Sequence, residues 1–182
     1  MKKGVSLNQA KWLIEPGCVV LVTGGTMDKS SLMTVSWQTP VQTADPCIVL
    51  LVLNRIRYTY ELIRQNNELV INVPGEELLD QTHLCGTVAG RKVDKWAKSG
   101  LTPAPAKLVQ PPWIAECSGH LECRVMQTFS VTTHDLVVCE VVHAEAEEDY
   151  FDGAWIPEEF HTLHYMQSTK YGVLTRRLDA DA

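Results

Sequence analysis

Apolar and polar residues alternate with a period of two through much of this chain, the mark of half-buried strands. Residues 18–23 form a short β-rich run that stops at Gly24-Gly25, a turn signal. After the polar stretch 27–31, the run Leu32-Met33-Thr34-Val35-Ser36-Trp37 alternates and predicts a half-buried strand. Asp45-Pro46 opens the next, and Ile48-Val49-Leu50-Leu51-Val52-Leu53 is apolar at every position, as a central strand covered on both faces would be. A fourth strand is predicted over 68–73, closed by Pro74-Gly75, and further strands over 119–125 and 136–146.

Helical patterns are fewer and short. Thr59 is placed to cap a helix through Tyr60, Leu62 and Ile63 that ends near Asn66-Asn67. Residues 76–84 give a second, with Leu78, Leu79 and His83 or Leu84 on one face, and residues 94–98 a third. The proline-rich stretch 103–112 reads as a surface connection, because strand patterns resume around it. Many closely spaced strands with a few helices between them predict a mainly β protein, a closed or partly closed antiparallel barrel. With 182 residues the expectation is one domain over 1–182, its core at about 12–172.

Composition narrows the function classes. Hydrophobic residues at 45% and charged residues at 21% fit a globular chain. A net charge of -6 argues against nucleic acid and anionic membranes as partners, so any bound anion needs a local cluster of donors. No apolar run reaches the roughly 18 residues of a membrane helix. The N-terminal Met1-Lys2-Lys3-Gly4 leads into no apolar signal segment, and a cytoplasmic location is expected. The six cysteines, Cys18, Cys47, Cys85, Cys117, Cys123 and Cys139, form no CxxC pair and read as reduced thiols, mostly buried.

Three segments carry candidate chemistry. Asn54-Arg55-Ile56-Arg57-Tyr58-Thr59 puts free helix amides, a hydroxyl and guanidinium groups where a strand meets a helix, which suits a phosphate; an ordinary capped helix with solvated arginines is the alternative. Ala89-Gly90-Arg91-Lys92-Val93-Asp94-Lys95 gathers three cations around a glycine, which is either a phosphate cradle or a solvated basic loop. Met33-Thr34-Val35-Ser36-Trp37 alternates hydroxyls with large apolar groups, as a planar and partly polar ring requires, though such residues are also good strand formers.

In their order, these segments resemble the flavin reductase-like domain family, and within it the flavoredoxin-type branch. The resemblance rests on Ser31 through Trp37, on Arg57-Tyr58-Thr59 followed by Glu61-Leu62-Ile63, on Cys85-Gly86 with Ala89 through Lys95, and on His164-Tyr165 with Tyr171-Gly172. It implies an FMN-binding split β-barrel of Greek-key type, typically a homodimer with the flavin near the subunit interface. It implies that Thr34, Val35, Ser36 and Trp37 line the flavin, that Asn54, Arg57, Tyr58 and Thr59 hold the ribityl phosphate region, and that Gly90, Arg91 and Lys95 complete the pocket. Ser31 stands where the family usually has Asn. The family's Gly-Asp-His turn, linked to nicotinamide binding, is here Thr132-Thr133-His134.

The activity this implies is that of an NAD(P)H-dependent flavin reductase using FMN, with FAD as an alternative flavin. Its rivals are a flavoredoxin-like electron carrier reduced by a redox protein partner and a flavin-binding module without turnover. No residue is required as a strong acid or base, and no GxGxxG fingerprint points to a Rossmann reductase. His134 is read either as an exposed turn histidine or as a nicotinamide contact. The HxxH pair His161 and His164 sits among coil-like residues with no supporting ligand, so no metal is expected. His83 reads as part of a buried face, Cys85 as a loop thiol, and Glu145, Glu147, Glu148 and Asp149 as a solvated strand end.

Overall fold

Two residues, Ser36 and Trp37, set the architecture. They alone separate β2 (Lys29–Val35) from β3 (Gln38–Gln42), yet β2 and β3 are the opposite edges of one seven-stranded antiparallel sheet. The sheet order is β2-β1-β5-β8-β9-β4-β3, with β1 at Val20–Thr26, β4 at Ile48–Asn54, β5 at Glu68–Val73, β8 at Gly119–Val131 and β9 at His134–Ala146. A link that short reaches only about 10 Å, so the sheet must curl until its edges face each other. The result is a split β-barrel with its seam between β2 and the β3–β4 pair. The structure, a computed structural model, describes residues 17–178 and 180. The Met1–Gly4 segment and the start of the expected core at about residue 12 lie outside the described residues. None of the described helices is long and apolar enough to cross a membrane.

The barrel interior is filled by the inward positions of the strands, among them Val20, Val22, Met33, Val35, Leu51, Leu53, Ile71 and Val137. Tyr60 and Ile63 enter it from α1 (Tyr58–Asn66). Gly24 explains how that helix docks. A Cβ at Gly24 would lie 2.5 Å from Ile63 Cγ1 and 2.9 Å from the Thr59 carbonyl, so only glycine admits the helix. The Gly24-Gly25 pair is therefore not the turn the sequence suggested: β1 runs through it, and the chain reverses at Met27-Asp28, with Gly25 at φ 99° preparing the reversal.

The outer face of β1 and β2 is roofed by α2 (Leu79–Thr87), which a short 3-10 turn (Glu76–Leu78) leads into, and by α3 (Lys95–Ser99). Leu21, Leu32, Leu78, Cys85, Leu101, Ile114 and Cys117 make this second core. The strand expected to be half-buried is thus covered on both faces through Leu32 and Met33. On α2 the buried residues are Thr82 and Cys85, while Leu79 is exposed, so the predicted Leu79–His83 face is corrected. Cys85 lies in this helix and not in a loop; all six cysteines are free.

β4 shows the reverse error. Leu51 and Leu53 are buried, but Ile48, Leu50 and Val52 on its other face are only half-buried, because no described element covers that side. The 103–112 stretch is also more than a surface connection. It begins with β6 (Pro103–Ala104), paired to β7 (Trp113–Ile114), and its middle is tied to the fully buried carboxylate of Glu122. That carboxylate accepts the backbone N–H groups of Lys107 (2.7 Å), Leu108 (2.6 Å) and Val109 (3.1 Å), and the Trp113 indole N–H (3.0 Å).

The HxxH segment, read as coil, opens a hairpin of β10 (Leu163–Gln167) and β11 (Lys170–Val173), which meets Cys18 through His164. His161 Nδ1 lies 2.7 Å from a Glu76 carboxylate oxygen, whereas His164 Nε2 lies 3.0 Å from the Thr162 hydroxyl. The two imidazoles face different partners.

Candidate functional site

The seam that closes the barrel is also where the candidate residues gather. β2 pairs with β1 on one side, and its other edge faces the gap. A cavity of about 160 Å³ opens there, lined by Thr34, Val35, Ser36 and Trp37 from β2 and the corner, by Asn54 and Arg57 after β4, and by His134. His134 is not in the turn: it is the half-buried first residue of β9, directly across from Asn54, with its ring 5.6 Å from that of Trp37. Its Nδ1 is 3.0 Å from the Thr133 hydroxyl. The Thr132-Thr133 pair makes the two-residue turn between β8 and β9, with Thr132 at φ 52°.

A second cavity of about 180 Å³ adjoins the first and shares Met33 and Arg57 with it. Tyr58, Thr59, Gly90, Arg91 and Lys95 line it. Every candidate site residue taken from the sequence therefore lies on one continuous groove along the seam. Met33, which opens the segment read as suited to a planar ring but was not counted among the flavin-lining residues, sits where the two halves meet.

The local structure shows how each side chain is held. Asn54 shapes the turn into α1, its Oδ1 accepting the Ile56 N–H (3.1 Å) and its carbonyl the Arg57 N–H (3.1 Å). The N-cap of α1 is Arg57, not Thr59, and no side chain caps the helix. Thr59 is instead buried one residue inside, donating its hydroxyl to Ser31 Oγ at 3.2 Å. The first amides of α1 are thereby left without an intrahelical or capping acceptor. Gly90 packs onto this pair: a Cβ there would stand 3.0 Å from Ser31 Oγ and 3.3 Å from the Tyr58 ring.

The charges divide into three kinds. Arg91 is ion-paired with Glu61 and lies over the Tyr58 ring at 5.4 Å, so its charge is already shared. Among the described residues the Arg57 guanidinium, which is exposed, makes no hydrogen bond or ion pair. Lys95 is only 4% exposed, and its amine donates to the Cys85 carbonyl at 2.6 Å with no carboxylate beside it among the described residues. Burial pulls the Lys95 amine down to about 8; the Cys85 thiol opposes this and the neighbouring Arg57 adds to it. A buried ammonium near a second cation, with no anion beside it among the described residues, is a charge that a bound anion would relieve. For Lys95 the solvated-loop reading fails, while for exposed Arg91 and Lys92 it holds in part.

Beneath His134, Asp135 is anchored by Tyr60 (2.9 Å) and Ser130 (2.8 Å), with Arg55 at 3.8 Å. Burial alone would raise its carboxyl, but these hydrogen bonds, with Arg55 and Arg64 nearby, hold it below the usual carboxylate range. Sequence reasoning missed this network because its members lie on three separate segments.

A split barrel with a ligand groove along its seam places the chain in a definite class, and comparison agrees: residues 14–172 match the flavin reductase like domain, and the chain belongs to that family. The similar proteins spread over its functional range. An uncharacterized protein of Archaeoglobus fulgidus is 33% identical over 147 residues, covering 81% of each chain. The flavoredoxin of Methanosarcina acetivorans superposes with a TM-score of 0.85 at 30% identity, over 99% of this chain and 95% of that one. The FMN reductase (NADH) RutF of Pseudomonas syringae is 32% identical over 108 residues, 55% of this chain and 54% of that protein.

Proposed function

We propose that the seam groove binds FMN and that the protein is an NAD(P)H-dependent flavin reductase. The observation that carries the reading is Lys95, a buried amine that has no carboxylate beside it and lies near an Arg57 guanidinium without a partner among the described residues, at the uncapped start of α1. This donor set fits a phosphate ester, and Gly90 lets the backbone approach it closely. The Thr34–Trp37 end fits the rest of the molecule: an open strand edge for the hydrogen-bonding rim of a planar ring, with Val35 and Trp37 as apolar walls. In this reading Asn54, Tyr58 and Thr59 hold the ribityl region, and Arg91 closes it.

Bound FMN supplies the two-electron redox chemistry, which none of the surrounding side chains provides. The chain contributes position and electrostatics. His134, beside Trp37 at the open end of the groove, is the proposed nicotinamide contact. The name of the Pseudomonas relative, an NADH-dependent FMN reductase, supports the choice of donor. FAD is the alternative flavin, since a wider recess of about 500 Å³ shares Tyr58, Gly90, Arg91 and Lys95 with the phosphate end.

A second reading, a flavoredoxin-like carrier reduced by a protein partner, is favoured by the Thr132-Thr133 turn before His134 and by the similarity to the Methanosarcina flavoredoxin. In either case we read the protein as a cytoplasmic homodimer. The outer face of β4, β9 and β8 supports this, because Val52, Leu136 and Phe129 are cross-strand neighbours there and Phe129 is 48% exposed. That face ends at His134, which would bring the partner subunit close to the groove.

The test is the visible spectrum of the purified protein, followed by anaerobic NADH and then NADPH. A yellow protein that bleaches with either nucleotide is the expected result. Yellow protein that stays oxidised selects the carrier, and colourless protein that takes up no FMN removes the reading.

A further inference from the structure

At the opposite end of the β8–β9 hairpin from His134 lies a cavity that shares no lining residue with the groove. It has a volume of about 570 Å³ and opens between the β6–β7 pair and the strand ends where Gly119 faces Ala146 and His120 faces Glu145.

Its wall is flat and aromatic. The Trp113 indole stacks on the His120 ring, 4.5 Å between centroids at 5°, and the His143 ring lies parallel to the indole at 6.3 Å and 3°. The Trp113 N–H donates to the buried Glu122 carboxylate at 3.0 Å, which fixes the plane of the stack. His120 is only 8% exposed, and burial pulls it down to about 4, so this ring adds no positive charge at neutral pH.

The rim is anionic. Glu145 and Glu147 line the cavity, and among the described residues no lysine or arginine does. Glu147 is exposed, and its carboxylate has no partner among the described residues. The chain itself shows what such a wall accepts. Lys107 comes from the 103–112 segment, ion-paired with Glu145, its Nζ 5.7 Å from the centre of the Trp113 ring. One carboxylate and one indole already hold a cation here, while Glu147 and the cavity are left over. A flat wall with an anionic rim selects a flat cation, whose ring extends the stack and whose N–H groups reach the carboxylates.

We propose that this cavity binds a planar organic cation of the amidinium or guanidinium class, seated against Trp113 and His120 with its charge toward Glu145 and Glu147. The site is independent of the flavin reading.

The test is a calorimetric titration of the purified protein with benzamidine at low salt, with benzamide as the neutral compound of the same shape. Benzamidine should bind one-to-one and saturably, and benzamide at least about tenfold more weakly. Lys107→Met should tighten benzamidine by about threefold, because the ammonium that competes for Glu145 and Trp113 is gone. That variant keeps the backbone N–H by which residue 107 holds Glu122. Glu147→Gln, at an exposed position, should weaken binding by about threefold. Lys95→Met should leave it unchanged, whatever it does to flavin. Benzamidine that does not saturate, benzamide that binds equally well, or an affinity that fails to rise in Lys107→Met would each overturn the site.

Discussion

Glu122 and Lys95 are both buried charges, and the protein treats them differently. Glu122 receives three backbone N–H groups and the Trp113 indole, so its negative charge is met by the 103–112 segment that wraps around it. Lys95 is nearly as buried but gives its amine to one backbone carbonyl and faces another cation, Arg57. A charge satisfied from within organises the fold; a charge left unsatisfied stores a cost that a ligand can relieve. The same burial thus has a structural meaning at Glu122 and, in the proposed reading, a binding meaning at Lys95.

Mutation can break this contrast. Glu122→Ala leaves one buried and three part-buried donors without their acceptor, and urea unfolding should show a loss of about 2–4 kcal/mol. Lys95→Met should leave the flavin-free protein as stable as before or more so, while flavin titration shows FMN binding weakened by about a hundredfold. A stability loss in Lys95→Met equal to that in Glu122→Ala would dissolve the distinction. Arg57→Ala, at an exposed site, should weaken FMN binding by about tenfold, with the unfolding midpoint unchanged.

The pH dependence follows with a definite sign. The Lys95 amine is lowered from 10.5 to about 8 in the free protein, and a bound phosphate raises it again. FMN affinity should therefore be flat below about 8 and fall as pH rises above it, by about fivefold over the next unit. Fluorescence titrations across that range check this, and Lys95→Met should abolish the slope. The unliganded protein behaves oppositely: between 8 and 10.5 its unfolded state binds more protons, so stability rises with pH there.

Much of the barrel was legible because apolar, β-forming runs at 32–35, 48–53 and 68–73 stand between turn signals. What escaped had physical reasons. β3 (Gln-Thr-Pro-Val-Gln) is a mostly exposed edge strand with a proline, so it carries no burial pattern. Gly24 resembled a turn glycine, although its requirement comes from a helix some 35 residues later that packs on it. Thr59 has the chemistry of a cap but is pulled inside by Ser31. The groove residues were readable as short motifs in order, since each local segment carries its own hydroxyl, glycine or cation. The Glu122 nest and the Asp135 network join distant segments, and no local signal marks them. Among the cations of 91–95, which one is buried became visible only when α3 docked beside β2.

The central claim is that Lys95 waits for a phosphate, and the most direct measurement compares FMN with riboflavin, which lacks that group, in fluorescence titrations of the flavin-free protein and of Lys95→Met. The account predicts that FMN binds the unaltered protein about a hundredfold more tightly and that most of this gap closes in Lys95→Met. Equal affinity for the two flavins, or a gap that Lys95→Met leaves intact, would contradict it.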